Sequence, residues 1–134
     1  MILIGIDPGV NTGFAIVCNK KLTDVLCMPA CQAEAKVLDW SKWHPNYVMV
    51  YFEDARMRGW FGSKGREALQ GAGSIKRDCQ RWEEYLKHYN IPYVAVAPKN
   101  NKTKLTAEQF KRITGWEGRT NEHGRDAAML VVGR

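Results

Sequence analysis

Short runs of apolar and β-branched residues alternate with turn-forming residues along the chain, and each run predicts a β-strand. The first run is followed directly by Asp-Pro-Gly at residues 7–9, a sequence typical of a tight turn. The fourth run, Tyr-Val-Met-Val-Tyr-Phe, has the aromatic and β-branched composition of a central strand. The five predicted strands span residues 2–6, 12–18, 22–28, 47–52 and 91–97.

Elsewhere the apolar residues recur every three or four positions, which is the spacing of one face of an α-helix. Thr106 and Asn121 are residues that commonly cap the start of a helix, and Gly115 is typical of a helix end. Helices are predicted at residues 30–43 and 66–90, from the Thr106 cap to residue 114, and from the Asn121 cap to residue 132. The order, three strands followed by α, β, α, β, α and α, predicts one mixed α/β domain over residues 1–134.

The composition, 45% hydrophobic and 25% charged, is that of a folded globular protein and excludes disorder or a coiled-coil rod. No apolar run approaches the ~20 residues that a membrane span needs, and the N-terminal run lacks the basic flank of a signal peptide. The four cysteines form no C-x-x-C pair. We therefore expect free thiols in a reducing cytoplasm, with a zinc site as the alternative.

The formal net charge of the chain is +6, and the excess of positive charge lies in its second part. Residues 1–54 carry four basic and six acidic side chains, whereas residues 55–134 carry 16 basic and 8 acidic ones. A basic region on a small domain favours a polyanionic partner such as nucleic acid, because binding releases the partner's counterions. Solubility alone is the alternative explanation.

Three parts of the chain place acidic residues where they could take part in chemistry. Asp7 and Glu53 each follow a predicted strand, and because adjacent strand residues point to opposite faces, only one of Glu53 and Asp54 can join Asp7. We favour Glu53. His123 and Asp126 are three residues apart on a predicted helix and therefore share one face. Taken singly, an acid of this kind is more often a helix cap or a surface charge.

Convergence of these acids would create a cation site, because clustered carboxylates repel one another unless a cation lies among them. Sites rich in oxygen ligands suit Mg²⁺ or Mn²⁺. Two such ions ~4 Å apart can activate water and stabilise the leaving oxygen in phosphodiester hydrolysis. Spacing along the sequence does not by itself establish that the acids converge.

Three motifs, spread over nearly the whole chain, add a second line of reasoning. Residues 6–16 read Ile-Asp-Pro-Gly-Val-Asn-Thr-Gly-Phe-Ala-Ile, residues 52–54 read Phe-Glu-Asp, and residues 121–128 read Asn-Glu-His-Gly-Arg-Asp-Ala-Ala. In this order they resemble the opening motif, the second acidic motif and the C-terminal helix motif of the RuvC-type Holliday-junction resolvases, within the RNase H-like superfamily. The short chain is similar to a compact, phage-like version of that family.

The resemblance implies an RNase H-like α/β fold, with a mixed five-stranded sheet flanked by helices, and catalysis with two Mg²⁺ or Mn²⁺ ions. Asp7, Glu53, His123 and Asp126 would be the catalytic and metal-binding residues. His123 stands where many relatives have a further Asp and others have His, and a neutral imidazole can bind a metal or position water. The expected partners are branched DNA and a second copy of the chain, with no membrane, in the cytoplasm of a bacterial cell or a phage-infected host.

Two basic segments follow the fourth and fifth predicted strands. If the fold places them around the acids, they would hold phosphates on either side of the cut. Trp60 and Phe61 lie between glycines in the first segment, where exposed rings could stack on unpaired bases. Packing in the core or in a dimer interface is the alternative for these two rings, and helix 66–90 is our candidate for the dimer contact. The candidate nucleic-acid-binding residues are Arg56, Arg58, Trp60, Phe61, Lys64, Arg66, Lys99, Lys102 and Lys104.

The sequence therefore predicts a metal-dependent, structure-specific DNA endonuclease that resolves four-way junctions by phosphodiester hydrolysis with paired, symmetric nicks. One alternative is an RNase H-like nuclease that acts on flaps, forks or RNA–DNA hybrids, because such an enzyme would use the same acids. The other alternative is a module that binds branched DNA without cleaving it.

Replacing Trp60 or Phe61 by Ala is expected to weaken binding to a four-way junction more than binding to duplex DNA, because stacking on an unpaired base contributes ~1–3 kcal/mol. Fluorescence anisotropy with both DNAs measures the two affinities for each variant. Equal losses on the two DNAs would contradict a role at the branch point.

Overall fold

The structure is a computed structural model that describes residues 1–58 and 66–134, with residues 66–72 described by their backbone alone. Within these ranges the strands and helices follow one another in the predicted order. The strands are β1 (Ile2–Asp7), β2 (Asn11–Cys18), β3 (Lys21–Pro29), β4 (Val48–Glu53) and β5 (Tyr93–Val96), and the helices are α1 (Ala30–Trp43), α2 (Arg66–His88), α3 (Ala107–Thr114) and α4 (Glu122–Met129).

The five strands form one mixed sheet in the order β3-β2-β1-β4-β5. Strands β1, β2 and β3 are antiparallel neighbours, whereas β4 is parallel to both β1 and β5. The register pairs Ile6 with Phe52, so the next residues, Asp7 and Glu53, lie at the same level at the carboxyl ends of their strands. The predicted α/β class, a mixed five-stranded sheet flanked by helices, is confirmed.

Helices cover both faces of the sheet. One core layer lies beneath α1 and α2, where Trp82 and Leu86 of α2 are fully buried. The other lies beneath α3 and α4, where Phe110 and Ala127 are fully buried. Because β1 and β2 are covered on both faces, their sequences are apolar along nearly their whole length rather than alternating.

The caps of α3 and α4 agree with the sequence. The Thr106 hydroxyl accepts a hydrogen bond from the Gln109 N–H, the Gln109 side chain accepts one from the Thr106 N–H, and Gly115 ends the helix with φ +75°. The Asn121 side chain accepts a bond from the Gly124 N–H at 2.9 Å. Both predicted N-caps are confirmed.

Three elements are shorter than predicted, whereas the limits of β1 to β4 differ from the prediction by at most one residue. Helix α2 ends at His88 rather than at residue 90, because Asn90 has φ 55° and a left-handed residue cannot continue a helix. Strand β5 is confined to Tyr93–Val96, since its pairing with β4 begins only at Tyr93. Helix α4 ends at Met129, and residues 130–133 follow it as turns.

Two further expectations concern free thiols and membrane-spanning helices. All four cysteines lie in described positions and are free thiols, so the predicted absence of disulfides is confirmed. In residues 1–58 and 66–134, no helix combines the length and the apolar character that crossing a membrane requires.

Two glycines allow α4 to lie directly on the sheet. A Cβ atom on Gly5 would overlap the carbonyl oxygen of Ala127, and a Cβ atom on Gly13 would overlap that of His123. Only glycine permits a backbone to approach so closely. The small side chains of Ala127 and Ala128, both fully buried, complete this contact.

Gly5→Ala is expected to lower the free energy of unfolding by at least about 1–3 kcal/mol, because the new methyl group forces the helix away from the sheet. Gly73→Ala in α2 is the matched control. Its Cβ would meet Arg77 Nη1 at an ordinary 3.6 Å, so the change should raise stability by about 0.5–1 kcal/mol through helix propensity. Urea denaturation measures both effects, and a Gly5→Ala variant as stable as the wild type would contradict the close contact.

Candidate metal centre

The carboxyl ends of β1 and β4 place two carboxylates at one edge of the sheet. Asp7 is the last residue of β1, paired across the hairpin with Gly13, and its side chain is 16% exposed. Glu53 is the last residue of β4 and is half-buried. The strand order predicts this proximity, because β1 and β4 are parallel neighbours.

Helix α4 brings an imidazole and a third carboxylate to the same edge. Since Gly13 has no side chain, the first turn of α4 rests on β2, and His123 Nδ1 lies 3.1 Å from Asp7 Oδ2. Asp126 follows one turn later on the same face of the helix and is 9% exposed. Side chains from the beginning, the middle and the end of the chain therefore converge here.

The loop after β5, residues 98–105, holds two of these carboxylates by hydrogen bonds. Asn101 Nδ2 donates to Glu53 Oε2 at 2.8 Å and to the backbone oxygen of Asp126 at 3.2 Å. The backbone N–H of Lys104 donates to Asp126 Oδ1 at 3.0 Å. Lys104 has φ 59°, a left-handed conformation that is uncommon for a residue with a side chain.

The acids at this edge resist ionisation. Burial raises the pKa of Asp7 to about 7, while the hydrogen bond with His123 opposes the rise and the charges of Asp126 and Glu53 add to it. Burial also raises the pKa values of Glu53 and Asp126, although hydrogen bonds from the 98–105 loop oppose both rises. A bound cation would remove the repulsion among the three ionised groups.

One oxygen of each carboxylate remains open. Asp7 Oδ1, Glu53 Oε1 and Asp126 Oδ2 accept no hydrogen bond from the described part of the chain. Within that part, no three His, Cys, Asp or Glu side chains are arranged around a common point, so an ion would have to draw the carboxylates together. Crowded, buried carboxylate oxygens are nevertheless the donor set that Mg²⁺ and Mn²⁺ prefer, and the residues present fit such a cation.

Asp54, the neighbour of Glu53, is engaged elsewhere. It is buried and bonds the guanidinium of Arg56 at 2.7 and 2.8 Å, and Arg56 also pairs with Glu83 of α2 at 3.3 Å. Burial opposes the ionisation of Asp54, yet the hydrogen bonds from Arg56 hold the pKa of this carboxyl below its usual value. The guanidinium of Arg56 is therefore engaged in ion pairs within the protein, and the role of Arg56 in binding nucleic acid stays a prediction.

Four other predicted nucleic-acid-binding residues lie exposed near the acids. The charge of Arg58 acts on Glu53, and Arg58 and Lys99 line one groove. Lys99, Lys102 and Lys104 are exposed on the 98–105 loop. The remaining predicted positions fall outside the described residues, namely Trp60, Phe61, Lys64 and the side chain of Arg66.

Sequence reasoning missed two residues that shape this edge. Asn101 was not singled out, although a polar residue after a strand that lies next to an acid-bearing strand is a usable signal. Gly13 was read only as part of a motif, although a glycine directly across a hairpin from Asp7 indicates that something packs closely there.

Comparison of the chain with models of known protein families finds no match, and comparison with curated proteins finds none either. The resemblance of the three motifs to the RuvC-type resolvases therefore stays a prediction.

In the metal-free protein, Asp7→Asn is expected to raise the free energy of unfolding at about pH 8 and to change it little at about pH 4. Because the pKa of Asp7 is raised in the folded state, its contribution to stability is fully present below its ordinary pKa and is lost as the pH rises through about 7. The pKa of Asp7 rises by about three units, from 3.8 to about 7, and each unit corresponds to about 1.4 kcal/mol, so the expected gain at the higher pH is on the order of 4 kcal/mol.

Urea denaturation with a chelator present, at the two pH values, measures this difference. Asp39→Asn is the matched control, since Asp39 is exposed on α1 and its replacement should change stability by less than about 0.5 kcal/mol at either pH. An Asp7→Asn variant no more stable than the wild type at the higher pH would contradict the proposed crowding of charge.

Proposed function

We propose that this protein is a metal-dependent, structure-specific endonuclease that resolves Holliday junctions. The observation that carries the proposal is the convergence of Asp7, Glu53 and Asp126 at one edge of the sheet, with exposed lysines beside them. The resemblance of the surrounding motifs to those of the RuvC-type resolvases supports the same reaction. Carboxylates of this kind can hold the two metal ions of phosphodiester hydrolysis, and nearby cationic side chains can position the phosphate backbone.

The three carboxylates would hold the ions through their open oxygens. Two Mg²⁺ or Mn²⁺ ions, when bound, would supply the activation of water and the stabilisation of the leaving oxygen. Asp7, Glu53 and Asp126 then keep their negative charge near neutral pH, because a cation lowers the carboxyl pKa values that burial raises.

In the proposed reaction, His123 would handle a proton. Its Nδ1 faces Asp7 Oδ2 at 3.1 Å, and half of its side-chain surface is exposed. When Nδ1 carries the hydrogen and donates it to Asp7, Nε2 presents a lone pair. In the proposed reaction Nε2 orients the attacking water and accepts its proton.

The cationic side chains around the acids would bind the DNA backbone. Arg58 and Lys99 flank one groove, and Lys102 and Lys104 extend the positive surface along the 98–105 loop. Contacts of this kind fix the position of a phosphate without reading the base sequence. A homodimer would present two such sites related by symmetry, which is what paired nicks in a four-way junction require.

Cleavage of a four-way junction, a fork, a flap, an RNA–DNA hybrid and a plain duplex, each with Mg²⁺ or Mn²⁺, tests this function. The wild type is expected to nick the junction in symmetric pairs. Asp7→Asn is expected to bind the junction and to cut it at least about 100-fold more slowly, since even residues that only support a metal ligand contribute up to that much. Product mapping on denaturing gels measures the cutting and its symmetry, and fluorescence anisotropy measures binding of the junction.

Asp39→Asn is the control and should cut like the wild type. Efficient cutting of flaps, forks or hybrids but not of junctions would favour another RNase H-like nuclease. Binding without cutting under every metal condition would favour a non-cleaving module, and an Asp7→Asn variant that still cuts would overturn the site.

A further inference from the structure

The side chain of Asn101 bridges two elements of the proposed site. Its Nδ2 donates to Glu53 Oε2, at the end of β4, and to the backbone oxygen of Asp126, within α4. Carboxylate and backbone carbonyl oxygens accept hydrogen bonds, so the NH₂ group must face them and the carbonyl oxygen must point away. The partners therefore fix the orientation of this amide.

The carbonyl oxygen of Asn101 is buried without a partner. Among the described residues, nothing donates a hydrogen bond to Oδ1. Buried acceptors of this kind are uncommon, because leaving one unpaired destabilises the fold. Local violations of this rule are typical of functional sites, where a side chain is kept for a task other than stability.

The hydrogen bond from Asn101 also makes the two carboxylate oxygens of Glu53 different from each other. Oε2 is committed to the amide, whereas Oε1 accepts no hydrogen bond in the described part of the chain. Glu53 is repelled by the nearby charge of Asp126, and the Asn101 amide donates a hydrogen bond to each of these two residues. Without that amide, the half-buried carboxylate would be free to turn away from Asp126.

We infer that Asn101 is a positioning residue, which holds Glu53 against α4 so that Oε1 is presented to a divalent cation. This role rests on the proposed function and assigns to it a residue outside the acidic motifs. The same loop supports Asp126 through the backbone N–H of Lys104, so two of the three carboxylates depend on one segment. Loss of a residue that hydrogen-bonds a metal ligand typically weakens metal binding by about 10- to 100-fold.

Calorimetric titration of the metal-free protein with Mn²⁺, in the absence of DNA, tests the inference. Asn101→Leu keeps the branching and the number of side-chain heavy atoms and removes the donors, and it is expected to weaken Mn²⁺ binding about 10- to 100-fold. Asn100→Ala, an exposed position in the same loop, is the matched control and should bind Mn²⁺ like the wild type. In the cleavage assay, the half-saturating Mn²⁺ concentration of Asn101→Leu should rise by the same factor, with the rate at saturating Mn²⁺ largely restored.

The outcomes separate this inference from the proposed function. Unchanged Mn²⁺ affinity in Asn101→Leu, with a wild type that binds Mn²⁺ and cuts, overturns the role of Asn101 alone. A wild type that neither binds Mn²⁺ nor cuts overturns the function and this role with it. Circular dichroism checks folding, and Asn101→Ala serves as a second variant with the same expectation. If neither variant folds, Asn101 is required for folding rather than for positioning Glu53, and the inference is wrong.

Discussion

Helix α4 meets the β1–β2 hairpin backbone to backbone, because Gly5 and Gly13 place no side chain between them. The position of His123 beside Asp7 follows from this contact, and so does that of Asp126 one turn further along. A side chain at either glycine would lift the helix from the sheet. Displacing a functional group by about 1 Å is enough to disrupt a preorganised site. The geometry of this edge therefore depends on two glycines, which have no functional side chain.

The same contact crowds three carboxylates, and their crowding opposes folding. Burial and mutual repulsion raise the pKa of Asp7 to about 7, which makes its charged form unfavourable in the folded protein at neutral pH. The opposition is local, whereas the two core layers that hold β1, β4 and α4 extend over both faces of the sheet. A fold can keep such an arrangement when its remaining packing is consistent, and the hydrogen bonds from the 98–105 loop reduce the penalty further.

Features that depend on residues close in sequence could be predicted for this chain. Features that depend on the packing of distant segments could not. The caps Thr106 and Asn121 mark the starts of α3 and α4 because capping depends on the next three residues alone. Alternation between the faces of a strand allows only one of Glu53 and Asp54 to join Asp7, and Glu53 is preferred because it directly follows a run of strong strand formers. The role of Asn101 depends on β5 lying beside β4, and strand order is set by packing across the whole chain.

In the proposed function, the 98–105 loop both binds the phosphate backbone of DNA and holds the acidic side chains in position. Its lysines are exposed where a phosphate backbone would lie, while Asn101 and the Lys104 N–H bond the acids beneath. Lys104 combines the two tasks in a single residue, because its N–H reaches Asp126 while its side chain stays exposed. Lys104 adopts a left-handed φ of 59°, and the hydrogen bond to Asp126 offsets the cost of this conformation. In the proposed function, DNA bound to this loop would therefore contact the same segment that holds Glu53 and Asp126 by hydrogen bonds.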